Sequence, residues 1–267
     1  MLDIGLHQGT SLHSHTPQAE LRLAVVASQG GNAHALETLW QVCAQLQRLG
    51  HPVVVLDGTA QESDDAPGLQ HLLACAPWGD DALPHTGMDA GSLAVLPAMT
   101  GLDMLAFEAR PLDAPLRALQ PLFRQYALVV LHAPVGTLAS PLLTGTAVTP
   151  LLTMQAGPAG VVDSYRQLKL LALHAGLPAT VACLVPSHDS DLQRHGHDAV
   201  NAVRQCAARH LGQSVATTVV QAGHAPDMQR LALHLLENAC TLGAPEDCAW
   251  PQAAPAAGHP LFSFQSH

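Results

Sequence analysis

The chain has 267 residues, of which 48% are hydrophobic, 12% charged and 3% aromatic, with a formal net charge of −10 when its 17 histidines are neutral. That is enough for one large α/β domain with tails, its core built from Leu, Val and Ala. A single lysine, Lys169, and the absence of any basic run exclude nucleic-acid binding driven by phosphate contacts. No apolar run is long enough to span a bilayer, and the N-terminus lacks the charged and apolar regions of a secretory signal. The six cysteines contain no C-x-x-C pair, so a zinc ribbon or redox motif is excluded. Cys43 and Cys183 read as small buried hydrophobes in a reducing compartment, and the expected location is the cytoplasm.

Residues 1–20 are polar and read as a tail, and the His13-x-His15 pair within it as incidental. Leu23–Ala27 is a short apolar run bounded by Ser28 and Gly30-Gly31, which predicts a buried parallel strand. Leu36, Leu39, Val42, Cys43, Leu46 and Leu49 recur at helical spacing until Gly50 stops the helix, and Val53–Leu56 is a second buried strand ending at Asp57. Strand, helix and strand form a right-handed βαβ unit. Its glycine turn lies at a helix N-terminus, where anions bind. Residues 58–67, with Glu62, Asp64 and Asp65, read as a solvated acidic loop.

A short helix is expected over 67–73, a strand over 91–98, and a helix after Gly101-Leu102. A helix over 112–123 precedes the strand Tyr126–Leu131, which runs into His132-Ala133-Pro134-Val135-Gly136. A strand over 147–154 and a helix over 157–173 follow, the latter with its Val, Tyr and Leu packed inward and Asp163 and Lys169 too far apart around the helix to pair. Then come a strand over 179–185, a polar loop with His188, Asp189, Asp191, His195 and His197, a helix over 199–211, a strand over 214–220 and a helix over 226–240. The Pro/Ala-rich end, 241–267, reads as a tail that is unstructured until it docks. Its Leu261-Phe262-Ser263-Phe264 could touch a membrane but brings no cationic face.

The order of these segments resembles the MinD/ParA family of P-loop ATPases, over roughly residues 21–237. That family's phosphate loop reads Ser-x-Lys-Gly-Gly-x-Gly-Lys-Thr-Thr between a strand and a helix. Here Ser28, Gly30, Gly31 and Asp57 match. Gln29 stands at the signature lysine, Asn32 at the variable place, Ala33 at the third glycine, His34 at the phosphate-binding lysine and Ala35 at the magnesium-binding threonine. Tyr126 to Gly136 resembles the family's Tyr-Asp-x-Ile-Ile-Ile-Asp-x-Pro-x-Gly, with His132 at the aspartate that orders metal-bound water. Leu184-Val185-Pro186 lacks the Asn that reads adenine in MinD relatives. Leu96-Pro97-Ala98-x-x-Gly101-Leu102 and Val162-Asp163-Ser164-Tyr165-Arg166-Gln167-Leu168-Lys169 are most similar to the flagellar-number regulators called FlhG or FleN.

The resemblance implies an α/β fold: three layers, doubly wound around a mostly parallel sheet, with residues 21–240 as the domain between the two tails. The lost lysines, hydroxyl and carboxylate imply a pseudo-ATPase rather than an enzyme, since lysines neutralise the phosphates and the hydroxyl holds Mg²⁺. No cofactor and no tight ATP binding are expected. Any residual phosphate contact would fall to Ser28, Gln29, Gly30, Gly31, Asn32, His34 and Asp57. The resemblance implies protein partners, among them the SRP-type flagellar GTPase or components of the flagellar base, with a homodimer left open and little or no membrane contact. MinD relatives of cellulose synthesis and secretion are the rival branch. A remodelled metal site of His34, Asp57 and His132 is the alternative chemistry, against drift of dead catalytic positions to tolerated polar residues.

Overall fold

A computed structural model of the chain describes residues 20–28, 33–75, 93–108, 114–186 and 190–242. The first βαβ unit forms as its periodicity predicts. Strand β1 (Arg22–Ser28) leads to helix α1 (Ala33–Arg48) and strand β2 (Val53–Asp57). Leu39, Val42, Cys43 and Leu46 are buried on one face of α1, while Leu36 and Leu49 at its ends are exposed. Burial pushes the Cys43 thiol up to about 12 and the Cys183 thiol up to about 11, so both act as small hydrophobes. Next come α2 (Leu69–Ala74), β3 (Ala94–Pro97) and α3 (Met99–Glu108). In place of the helix expected over 112–123, a 3₁₀ turn (Pro115–Ala118) and a single α turn, α4 (Leu119–Leu122), carry Leu116, Leu119 and Leu122 into the core. Pro115 and Pro121 keep that segment short.

Strand β4 (Leu128–Pro134) runs three residues past the expected end, so His132 lies inside a strand and not after it. A one-turn helix, α5 (Val135–Leu138), follows. Strand β5 (Leu151–Gln155) starts four residues later than expected, because Pro150 has no N–H to give a ladder. Helix α6 (Pro158–Leu170) ends in a π turn (Leu171–Ala175) closed by Gly176 in the left-handed region. The inward residues of α6 are Ser164 and Leu168. Val162 is exposed and Tyr165 meets His210 edge-on, which corrects the expected inward face. Strand β6 (Thr180–Val185) is buried throughout.

Helix α7 (Ser190–Leu211) absorbs most of the expected polar loop, so His195 and His197 are helical. His188 and Asp189 lie outside the described residues. Gly196, between His195 and His197 in the helix, is there for close packing: a Cβ would stand 2.9 Å from Val185 Cγ1 and 3.2 Å from Val219 Cγ1. Strand β7 (Ala216–Gln221) and helix α8 (Ala225–Glu237) complete the alternation, and a two-residue strand, β8 (Cys240–Thr241), takes the end of the helix expected over 226–240 and the first residue of the expected tail.

The sheet order is β3-β2-β4-β1-β5-β6-β7, all parallel. β4 takes one whole edge of β1, and the other edge is shared. β5 pairs at Val26 and Ala27, and β8 pairs antiparallel at Arg22 and Leu23. One face is covered by α1 and α8, the other by the remaining helices, each over its own apolar cluster. This is the three-layer, doubly wound, mostly parallel α/β architecture. Its strand order reverses around β1, so the carboxyl ends of β2, β4, β1, β5 and β6 border the crevice where such folds place ligands.

Candidate functional site

Register places the site residues. Asp57 pairs with His132 across β2 and β4, and His132 with Val26 across β4 and β1. Alternation along each strand turns Asp57 and His132 toward the α1 face, beside Val55 and Val130. His132 Nδ1 stands 3.3 Å from Asp57 Oδ1, both side chains largely buried. The same oxygen accepts hydrogen bonds from the Thr59 amide (3.0 Å) and the Thr59 hydroxyl (2.6 Å). Burial alone would raise the Asp57 carboxyl. The bonds from His132 and Thr59, with the attraction of the imidazole, outweigh it and hold the carboxyl at about 2. Asp57 is therefore an ionised acceptor, so Nδ1 of His132 carries the proton and Nε2 points away from the pair.

An Asp57→Asn variant tests the pair. The folded-state value lies below the unfolded value of about 3.9. Stability from Asp57 is thus present above that value and is lost as pH falls from about 4 through about 2. Allowing for solvent screening, the contribution is about 1 kcal/mol. Acid unfolding curves should be flatter between pH 4 and 2 for the variant. Identical acid limbs would show that the carboxylate gains nothing from His132 and Thr59.

Glu62 is not a solvated loop residue. Its carboxylate accepts the Thr100 amide at 2.8 Å and the Gly101 amide at 2.9 Å, and the Gln70 amide at 3.3 Å. It closes the open N-termini of α3 and α2 together. Partial burial would raise its carboxyl, but the N–H groups of Gly101 and Thr100 hold it below the usual glutamate range. The loop is fastened at other points too. The Gly58 amide donates to His132 O (2.7 Å), the Ala98 amide to Asp57 O (3.0 Å) and the Met99 amide to Ala60 O (3.2 Å). Gly68 sits so close to β3 that a Cβ would lie 2.0 Å from Pro97 O. One sequence signal points to Glu62: α3 begins at Pro97-Ala98-Met99, with no side chain able to cap it, so the cap must come from elsewhere.

The remaining predicted site residues are spread over both sides of the β1 turn. Ser28 ends β1, and Gln29, Gly30, Gly31 and Asn32 lie outside the described residues. His34 is exposed in the first turn of α1, where its carbonyl accepts the Thr38 hydroxyl at 2.7 Å. It lines a cavity of about 460 Å³ with Gln155, Leu184, Pro186, Leu192 and Ala222, a lining that does not include Asp57 or His132. Among the described residues no group of three His, Cys, Asp or Glu side chains is placed to hold a metal, so His34, Asp57 and His132 do not converge. The described lining of the cavity contains no Lys or Arg. No described helix is long and apolar enough to cross a membrane.

No family model and no curated protein matches the chain. Solved structures do. Cobyrinic acid a,c-diamide synthase from Mycobacterium smegmatis with bound ADP and magnesium aligns with a TM-score of 0.54 at 19% identity, covering 81% of this chain and 94% of that one. The Cyanothece McdA–ATP complex aligns with a TM-score of 0.55 at 14% identity, covering 82% of this chain and 96% of that one. Sheet order, layering and these alignments agree that the chain shares the three-layer, mostly parallel α/β fold of these two nucleotide-bound proteins.

Proposed function

We propose that this protein is a MinD-like pseudo-ATPase that works in the cytoplasm by binding protein partners, on the FlhG branch that governs flagellar placement or number. The observation that carries the reading is the Asp57–His132 pair. At the strand end where the family keeps a carboxylate for metal-bound water, an imidazole is turned into a neighbouring aspartate and held there. The nucleotide and Mg²⁺ that the fold implies do not fit the residues present. His34 stands at the lysine position, Ala35 at the hydroxyl position, and the cavity's described lining carries no cation. The charge-assisted contacts that make phosphate binding strong are missing. The loop after β2 is fastened by Glu62 to two helices, which suits a constant binding surface better than a segment that responds to a γ-phosphate.

Calorimetry and a phosphate-release assay with Mg²⁺ and ATP test this, beside a variant carrying Gln29→Lys, Ala33→Gly, His34→Lys, Ala35→Thr and His132→Asp. The natural protein should show neither micromolar binding nor turnover. Either result would overturn the reading. The flagellar assignment is tested separately, by binding of the purified SRP-type flagellar GTPase to the natural protein. A second reading, nucleotide held without hydrolysis, is favoured by the cavity beside His34. Micromolar ATP affinity with no turnover would select it.

A further inference from the structure

Among the described residues β7 pairs with β6 alone, and half of the backbone N–H and C=O groups of its six residues face outward. Folds cover an open edge of this kind with a helix or a loop, or blunt it with charge or proline. The sequence of β7, Ala216 to Gln221, has neither charge nor proline. Beside it runs a groove of about 320 Å³, floored by Ala216 and Thr218 and rimmed by Arg230, Leu233, His234 and Glu237 of α8. Pro226, Arg230, Leu233 and Glu237 are exposed at helical spacing along α8. Leu233 is 44% exposed, an apolar side chain between an exposed cation and an exposed acid. Glu237 stands in the last turn, where the helix dipole disfavours an acid.

We propose that α8 is a two-fold interface between copies of this chain, the α8 of one copy lying antiparallel along the α8 of the other and over the groove. Such a contact sets one surface against itself, so the surface must be self-complementary. The charges of this stripe are. Arg230 and Glu237 stand three and four residues from Leu233, about 10 Å apart along the helix axis. A two-fold midway between them sets Arg230 opposite the partner's Glu237 and Glu237 opposite the partner's Arg230, with Leu233 of both copies beside the axis. Both charged side chains are within reach of a neighbour, Arg230 at 62% and Glu237 at 76% exposed. Arg230 donates to Asp227 Oδ1 at 2.8 Å through one terminal nitrogen, and its guanidinium has further N–H groups to give. His234, 3.6 Å from Glu237, offsets that acid only when protonated. The partner's Arg230 is charged at any working pH.

The exposed stripe of α6 and its π turn does not meet the same condition. Val162, Arg166, Lys169 and Leu173 are exposed along it, and a two-fold midway between Val162 and Leu173 sets Arg166 opposite the partner's Lys169. The α8 contact consists of one helix pair and the groove beside each helix, at the small end of interface sizes, so the dimer it makes is weak and reversible. The formal charge of −10 per chain opposes association at long range. At physiological salt that repulsion is screened beyond about 8 Å, while the close Arg230–Glu237 pairs are screened less.

Sedimentation equilibrium of the full chain at physiological salt tests the proposal. It compares the natural protein with Arg230→Glu, Glu237→Arg, Leu233→Glu and the double swap Arg230→Glu/Glu237→Arg, circular dichroism confirming that each is folded. The natural protein should show a reversible dimer. Each single change should weaken it about tenfold or more, because like charges, or an unpaired acid at the axis, then meet across the contact. The double swap should dimerise as the natural protein does. So should an equimolar mixture of the two single charge reversals, in which every pair is re-formed between unlike copies. A natural protein that stays monomeric at about 100 μM overturns the proposal. A dimer that survives the single changes, or one that neither the swap nor the mixture restores, overturns it in favour of another face.

Discussion

A Gly68→Ala variant should unfold at a temperature about 9 °C below the natural protein. One methyl group added here meets backbone on one side and the Glu62 side chain, the strap across α2 and α3, on the other. The new Cβ would lie 2.0 Å from Pro97 O, 2.6 Å from Glu62 Cγ and 2.9 Å from the Pro97 carbonyl carbon. The carbonyl belongs to β3, which is locked in register with β2 from Val54 to Asp57, so it has no cheap way to move. Overpacking of this kind costs about 3 kcal/mol, and a domain of this size loses about 3 °C per kcal/mol. The control is Gly136→Ala. Nothing lies within 4 Å of that Cβ, and alanine favours the helical turn. Differential scanning calorimetry of the two variants separates a clash from a general dislike of alanine. If both melt alike, β3 and the loop yield easily and the edge of the sheet is softer than the contacts imply.

Removing the strap is the second large effect. Glu62→Ala leaves the amides of Thr100, Gly101 and Gln70 without their acceptor. The orphaned groups include the first donors of α3, which has no cap of its own. The expected loss is about 2 kcal/mol, between that of a neutral cap and that of a buried charged one. The effect has a pH signature. The folded Glu62 carboxyl titrates below its unfolded value of about 4.3. Its stabilisation is therefore present above that value and is lost as pH falls through the lowered folded value. A Glu62→Gln variant keeps the shape without the charge. It should be less stable than the natural protein at pH 7 and approach it toward pH 3. A constant gap across that range, in urea unfolding at each pH, would mean that the carboxylate's charge contributes nothing and only its shape matters.

What the sequence revealed followed from periodicity, and what it hid followed from contacts between distant residues. β1, β2, β4 and β6 are continuous apolar runs because both their faces are covered, and such runs can be read directly. The helix over 112–123 was misread because its apolar spacing comes from two short turns broken by prolines. The segment around His195 and His197 reads as a loop, whereas Gly196 between them packs a helix against β6 and β7, a reason not next to it in the chain. Glu62 looked solvated because its partners are eight, 38 and 39 residues away. The pairing of Asp57 with His132 was legible only as two strand ends on one edge. The register that brings them together spans 75 residues. His34 sits at the same edge, yet lines a cavity that Asp57 and His132 do not, a distinction that no spacing rule supplies.

The short antiparallel strand at the foot of β1 sets an order of events during synthesis. β1 precedes all of its partners, β4, β5 and Cys240–Thr241, and none of them is its neighbour in the chain. Its lower edge stays unpaired until residue 242 has emerged, some 220 residues later. At about 5–20 residues per second that is a wait on the order of 10–40 s. Through that interval Arg22 and Leu23 lack their antiparallel partner, while β4 and β5 cover the rest of β1 once they have formed. A truncation just before Cys240 would leave that foot of β1 open in the folded chain.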